Sequence, residues 1–251
     1  SVAGAKILVE RRRERGIGDL LFLTGPLGFL NHISGSAVEI DVMSFADRGV
    51  VLTHSPLIHN KCVKCGPLEY DHLRMYNYHW LINTVTEQHS EGDQLNVYDA
   101  LYQQLGFDPQ DIEPRWKRPS ATLLAEDFQN LDRFYKFVWD ARKVDLRRIG
   151  YFVVAPFANA TLRCMNYGRW LDIIRALGTR RPVVVVGNSG LRLPDTDMSA
   201  GLFCQSVGSI GGGVFNAVDS TSLRVLMALI ARSTGVISMD SAPLYIAQAL
   251  N

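Results

Sequence analysis

Two short stretches put a carboxylate where a parallel sheet would present it to a ligand. In "RGIGD" (15–19), Gly16 and Gly18 let the backbone pass close to a bound molecule, and Asp19 stands where a helix begins. A carboxylate there can take the proton from an attacking hydroxyl, or it can simply cap the helix. In "MDSAPLY" (239–245), Asp240 ends an apolar strand and can accept from a ribose or sugar hydroxyl. The backbone N–H groups after Ser241, around Ala242 and Pro243, lie at a helix start, where a phosphate is favoured. Equally, Ser241 can be the cap and Pro243 a first-turn residue.

Two further turns follow apolar strands. In "APFANATLRCMNYGRW" (155–170), Asn159, Ala160 and Thr161 are small and polar, and Arg163 comes two residues later. Backbone N–H groups, a hydroxyl and a guanidinium suit a diphosphate; the plain alternative is a solvated loop. In "VVVVGNSG" (183–190), Gly187 and Asn188 can approach a nucleotide or form an ordinary turn. The glycine pattern "GIGDLLF" lacks the third glycine of the dinucleotide fingerprint.

Metal chemistry is weakly signalled. "KCVKCG" sets Cys62 and Cys65 at the spacing of half a zinc knuckle, with His54, His59, His72 and His79 nearby. A second Cys-x-x-Cys and a paired histidine spacing are missing, so two reduced thiols are expected rather than a structural zinc. "PDTDMS" carries Asp195 and Asp197, the kind of acidic pair that metal-dependent sugar transfer uses, but short acidic pairs are common in loops. No metal and no resident cofactor are expected.

The elements needed to position these turns are legible as apolar runs. "KILVE", "AVEIDVMSF" and "GVVLTH" read as strands, with a helix over "LLFLTGPLGFLNHI" between the first two. From Asn60 to Trp116 the pattern is irregular, with one helix in "VYDALYQQLGF". The proline-rich "DPQDIEPRWKRPS" is read as an insertion without regular structure. "AEDFQNLDRFYKFVWDARKV" is an amphipathic helix on the first domain or leading out of it. Beyond it, "IGYFVVAPFA", "RPVVVVGNSG" and "GVISMD" are buried strands alternating with helices in "YGRWLDIIRALGT", "STSLRVLMALIARST" and "APLYIAQALN". The expected fold class is α/β: two Rossmann-like domains facing a cleft, 1–147 with an irregular insertion at about 60–120, and 148–251.

The 251-residue chain is 47% hydrophobic and 20% charged, enough apolar matter for real cores. Its 26 basic and 25 acidic side chains nearly cancel, which argues against a general coat for nucleic acid or anionic membrane. Arginines at 11, 12, 13 and 15 interrupt the N-terminal apolar run, so neither a signal peptide nor a transmembrane segment is read there. A cytoplasmic protein is expected.

"GVISMDSAPLYIAQALN" resembles the "DSGPxHIAxAL" signature of glycosyltransferase family 9, the ADP-heptose:lipopolysaccharide heptosyltransferases of GT-B fold. "RGIGDLLFLTGPLGFL" is similar to that family's "LGDVLLxTPALRAL", "VVAPFANATLRCMNYGRW" to its "HPGASxxxKRWP", and "VDSTSLRVLMALIARSTGVISMD" to the segment leading into the signature. The resemblance covers roughly the first 50 and the last 100 residues. It implies an inverting, metal-independent glycosyltransferase, in which Asp19 is the general base. Gly18, Asn159, Thr161, Arg163, Asn188, Asp240, Ser241, Ala242, Pro243 and Tyr245 would hold a nucleotide-sugar donor. The implied acceptor is a glycan or lipid-linked glycan, reached from the cytoplasm, peripherally at the inner membrane. Ala242 stands at the signature glycine and Tyr245 at its histidine. Ala155, Phe157 and Met165 replace His, Gly and Trp of the second motif, and the C-terminal domain is shorter than usual in the family. Two alternatives stay open. One is transfer to hydroxymethylated DNA bases, with Arg11 to Arg15 and "PRWKRP" on the nucleic acid. The other is a non-catalytic nucleotide-sugar-binding protein on the same scaffold.

Overall fold

The computed structural model describes residues 4–11, 16–44, 49–63, 73–82, 96–158, 165–190 and 197–251, with backbone alone for residues 11 and 61–63. The chain divides into two compact units, Ser1–Thr122 with Gln248–Leu250, and Leu123–Ala247 with Asn251.

The first unit holds a four-stranded sheet of order β3-β2-β1-β4: β1 Lys6–Arg11, β2 Glu39–Ser44, β3 Asn60–Val63 and β4 Tyr78–Ile82. All its pairings are parallel. Ile7, Leu8, Val9, Ile40 and Val42 are buried, as the apolar runs require of strands covered on both faces. Helix α1, Ile17–Ile33, is nearly apolar all round, and Leu20, Leu21, Leu23, Leu27 and Leu30 are buried. The 114–118 segment crosses it closely: a Cβ on Gly25 would sit 2.4 Å from the Trp116 carbonyl oxygen. Tyr102, from helix α2 (Val97–Gln104), donates to that same carbonyl at 2.9 Å. Burial pushes the Tyr98 and Tyr102 phenols above their ordinary range.

Two expectations for this unit fail. "GVVLTH" is not a strand: Gly49–Leu52 is a 3₁₀ turn that buries Val51 and Leu52. A Cβ on Gly49 would meet Ser44 Oγ at 2.4 Å, so the glycine lets this turn pack back on the end of β2. The stretch read as an irregular insertion contributes β3 and β4, half of the sheet. Their sequences, "NKCV" and "YHWLI", are too short and too mixed to show a continuous apolar run. Within the proline-rich stretch, Pro109–Asp111 and Pro114–Trp116 are single 3₁₀ turns.

The second unit holds a parallel sheet of order β7-β6-β5-β8: β5 Phe152–Ala155, β6 Val183–Val185, β7 Val214–Asn216 and β8 Gly235–Ser238. Its helices are α3 Ala125–Arg142, the single turn α4 Leu146–Ile149, α5 Tyr167–Gly178, α6 Ala200–Ile210, α7 Leu223–Arg232 and α8 Ala242–Leu250. Val153, Val154 and residues 183–186 are fully buried. An aromatic cluster of Phe157, Tyr167, Trp170 and Phe203 fills one face, and the Tyr167 and Phe203 rings stack at 4.5 Å.

Helix α3 falls in this second unit, so the contact division lies at Thr122/Leu123, ahead of the 147/148 boundary read from the sequence. The cause is an ion pair between α3 and α7. Arg224 Nε donates to Asp127 Oδ1 at 2.8 Å and its Nη2 to Oδ2, with the side chains 14% and 8% exposed. Asp127 also accepts the Leu124 N–H at 2.8 Å, so one carboxylate both opens α3 and ties it down. Behind the pair, Tyr135 and Tyr151 share a hydrogen bond at 2.9 Å, and the Tyr151 hydroxyl donates to Leu229 O at 2.8 Å.

Candidate functional site

In the second unit all four strands point the same way, so the segments that follow them share one edge of the sheet. This is where open parallel sheets bind ligands. The order β7-β6-β5-β8 brings the Asn188 turn, the 156–158 segment and the Asp240 turn side by side there. Backbone bonds hold them close: Val186 N–H to Val154 O at 2.9 Å, and Met239 N–H to Ala155 O at 3.3 Å.

Asp240 follows β8 and is exposed. Ser241 is the N-cap of α8 in extended conformation (φ −153°, ψ 177°), and its side chain makes no cap hydrogen bond. The Ser241 hydroxyl instead lies 3.2 Å from Ser238 Oγ. Pro243, buried, sits in the first turn, and Leu244 N–H bonds Ser241 O at 3.0 Å. The cap-only reading of Ser241 therefore fails as to its side chain, which makes no cap hydrogen bond to the start of α8. Tyr245, half-buried on the same helix, donates from its hydroxyl to Asp240 Oδ1.

The Asn188 turn is built differently. Gly187 has φ +142°, and a Cβ there would lie 2.4 Å from the Phe157 ring, so the turn needs glycine. Asn188 Oδ1 accepts the Gly190 N–H at 2.8 Å, which commits its carbonyl oxygen to the turn. Beside it stands a residue the sequence did not single out. Asp219, left-handed at φ +57°, accepts from Ser189 N–H at 2.9 Å and from Ser189 Oγ. An aspartate just before a helix looks like a cap, but the cap of α7 is Ser222.

Asp197 also takes a role other than the one its spacing suggested. Its Oδ1 accepts Tyr167 N–H at 2.8 Å and its Oδ2 accepts Gly168 N–H at 2.9 Å, at the start of α5. Asn166 Oδ1 accepts Gly168 N–H as well, at 2.9 Å. The carboxylate is a helix cap. Asp195 lies outside the described residues, as do Asn159, Thr161, Arg163, Cys65 and His72, and the Cys62 side chain. Among the described residues no three His, Cys, Asp or Glu side chains converge as metal ligands. Two of the histidines offered as zinc ligands face carboxylates: His79 Nε2 is 3.0 Å from Glu10 Oε2, and His59 Nδ1 is 3.4 Å from Asp41 Oδ1. The buried Glu10 is a charge following the apolar run of residues 7–9 in β1, a signal visible in "KILVE".

In the first unit Gly16 is the N-cap of α1 and supplies no side-chain cap; Gly18 is buried, and Asp19 is half-buried in the first turn. The Asp19 N–H bonds Gly16 O at 3.2 Å.

No helix among the described residues is long and apolar enough to cross a membrane. No family model matches the chain, and no curated protein matches it in sequence. Its fold is nevertheless found in solved structures. A glycosyl transferase family 9 protein from Veillonella parvula DSM 2008 superimposes with TM-score 0.73 at 12% identity, over 99% of this chain and 79% of that one. The ADP-heptose LPS heptosyltransferase II of E. coli gives 0.68 at 14% identity, over 98% and 82%. The E. coli heptosyltransferase WaaC, solved with ADP, gives 0.57 at 11% identity, over 98% and 84%. With two parallel α/β units and likenesses of this extent, the chain has the GT-B fold of the family 9 glycosyltransferases.

Proposed function

We propose that the protein is an inverting, metal-independent glycosyltransferase that moves a sugar from a nucleotide-diphosphate donor of the ADP-heptose kind to an acceptor hydroxyl. The observation that carries this reading is the turn between β8 and α8. An exposed carboxylate and a helix N-terminus whose N-cap serine makes no cap hydrogen bond lie together at the carboxyl edge of a parallel sheet, in a fold shared with heptosyltransferases. The helix end suits the diphosphate, whose charge grows as the glycosidic bond breaks. Asp240 suits sugar hydroxyls, because a carboxylate accepts from them and repels phosphate.

The resemblance adds the remaining parts. Asp19 removes the proton from the acceptor hydroxyl as its oxygen attacks the anomeric carbon, and the nucleoside diphosphate leaves with the bonding pair, inverting that carbon. Arg163, with Asn159 and Thr161, neutralises the leaving diphosphate. Gly18, Asn188, Ala242 and Pro243 bring backbone close to the donor. The acceptor is a glycan or a lipid-linked glycan of the lipopolysaccharide-core type, met on the cytoplasmic face of the inner membrane. The first unit serves the acceptor and the second the donor.

A thermal-shift screen against ADP-, UDP-, GDP- and CMP-sugars tests the donor class, since a ligand that binds only the folded state raises its Tm. One nucleotide should stand out; no shift with any of them refutes the donor site. Asp19→Asn should lower turnover by about 10²–10⁴-fold while donor affinity stays within about twofold. Full turnover in that variant would reduce Asp19 to a structural residue.

A further inference from the structure

Asp240 ends an edge strand and is exposed, with two rotatable side-chain torsions. Alone, such a side chain spreads over several rotamers and must be ordered when a ligand binds. The fold supplies a restraint. Tyr245 lies five residues on, in the second turn of α8, its ring half-buried and carried by the helix. From there its hydroxyl reaches back over the first turn to Asp240 Oδ1. Hydrogen bonds to an ionised acceptor are roughly twice as strong as neutral ones. A carboxylate has about four acceptor positions on its two oxygens, so one bond fixes the group without exhausting it. A phenol is also a committed choice here: its single proton can be given to the carboxylate, whereas an imidazole nitrogen donates only in the right tautomer.

We propose that Tyr245 is a positioning residue that acts through Asp240, holding its carboxylate toward the sugar of the bound donor rather than touching the donor itself. The proposal rests on the reading of this turn as the donor site. It divides the work of the turn in two. The start of α8 serves phosphate, and the Asp240–Tyr245 couple serves sugar hydroxyls, so loss of the phenol should be felt by a nucleotide sugar and not by its parent nucleoside diphosphate.

The test uses the full chain in calorimetric titrations with two probes: the nucleotide sugar that gives the largest thermal shift, and the corresponding nucleoside diphosphate. Tyr245→Phe should weaken the nucleotide sugar about tenfold and the nucleoside diphosphate less than twofold. In an Asp240→Ala background the same substitution should change neither affinity, because the carboxylate through which the hydroxyl acts is gone. Equal losses on both probes, or an undiminished loss with Asp240 removed, would overturn the assignment. If Tyr245→Phe does not fold, Tyr245→His keeps a ring with an N–H donor and should fall between wild type and Asp240→Ala on the nucleotide sugar alone. A wild type that binds neither probe refutes the donor site itself. A wild type that binds both, with Tyr245→Phe unchanged, refutes only the role of Tyr245.

Discussion

The helices α5 and α8 start at the same edge of the same sheet, yet their first turns are finished in opposite ways. At α5 the chain closes the end itself: Asn166 and Asp197 take the N–H groups of Tyr167 and Gly168. A Cβ on Gly168 would lie 2.9 Å from Asp197 Oδ2, so a glycine is what admits the second acceptor. At α8 the N-cap side chain, Ser241, makes no cap hydrogen bond, and the nearby carboxylate, Asp240, is held by Tyr245. Polar groups at α5 are spent on stability. An anion at the start of α8 would gain from the same dipole that the caps satisfy at α5.

That contrast can be broken by substitution. The largest effect belongs to the most thoroughly committed polar group. Arg224→Ala takes the guanidinium away from the buried Asp127 carboxylate, and should destabilise the protein by about 3–5 kcal/mol in denaturant unfolding. Its affinity for the nucleotide sugar, measured on folded protein, should stay within about twofold. A fall in affinity without loss of stability would show that α3 and α7 belong to the site. Next, Asp197→Ala should cost about 1 kcal/mol as a lost cap. Ser241→Ala, at the start of α8, should change stability by less than about 0.5 kcal/mol. Equal costs would erase the distinction between the two helix starts. The smallest effect is chemical. Burial, and after it the negative charge of Asp219, pushes the Cys204 thiol upward, so less thiolate is present at neutral pH. Site-resolved alkylation at pH 7–8 should find Cys204 slower than a free thiol, and Asp219→Asn should speed it modestly. No change would place the Asp219 charge outside reach of Cys204.

The second unit was the more legible of the two. Its strands β5 and β6 are short runs of Val and Phe buried on both faces, and β8 is a half-buried edge strand with Val and Ile at its centre. In the first unit β1 and β2 carry the same signature, whereas β3 and β4 mix Asn, Lys, Tyr and His into strands of four and five residues. Burial there comes from partners rather than from local composition. "GVVL" shows the converse: an apolar run of strand-like composition buries its valine and leucine as a 3₁₀ turn. Of the site, the Asp240 turn and the start of α1 were visible, because each is a strand-end or helix-start motif contained within a few consecutive residues.

The amino-acid sequence by itself determined whatever depends on neighbours along the chain: the alternation of strand and helix, and the carboxylate after β8. Tertiary structure alone decided the pairings between distant residues. Asp197 caps a helix that begins 30 residues earlier, Asp219 holds the Ser189 turn across a similar distance, and Glu10 meets His79 on the strand paired beside it. Such contacts follow from the order in which strands pair. That order is set by the summed burial of whole elements, and no spacing within a single motif records it.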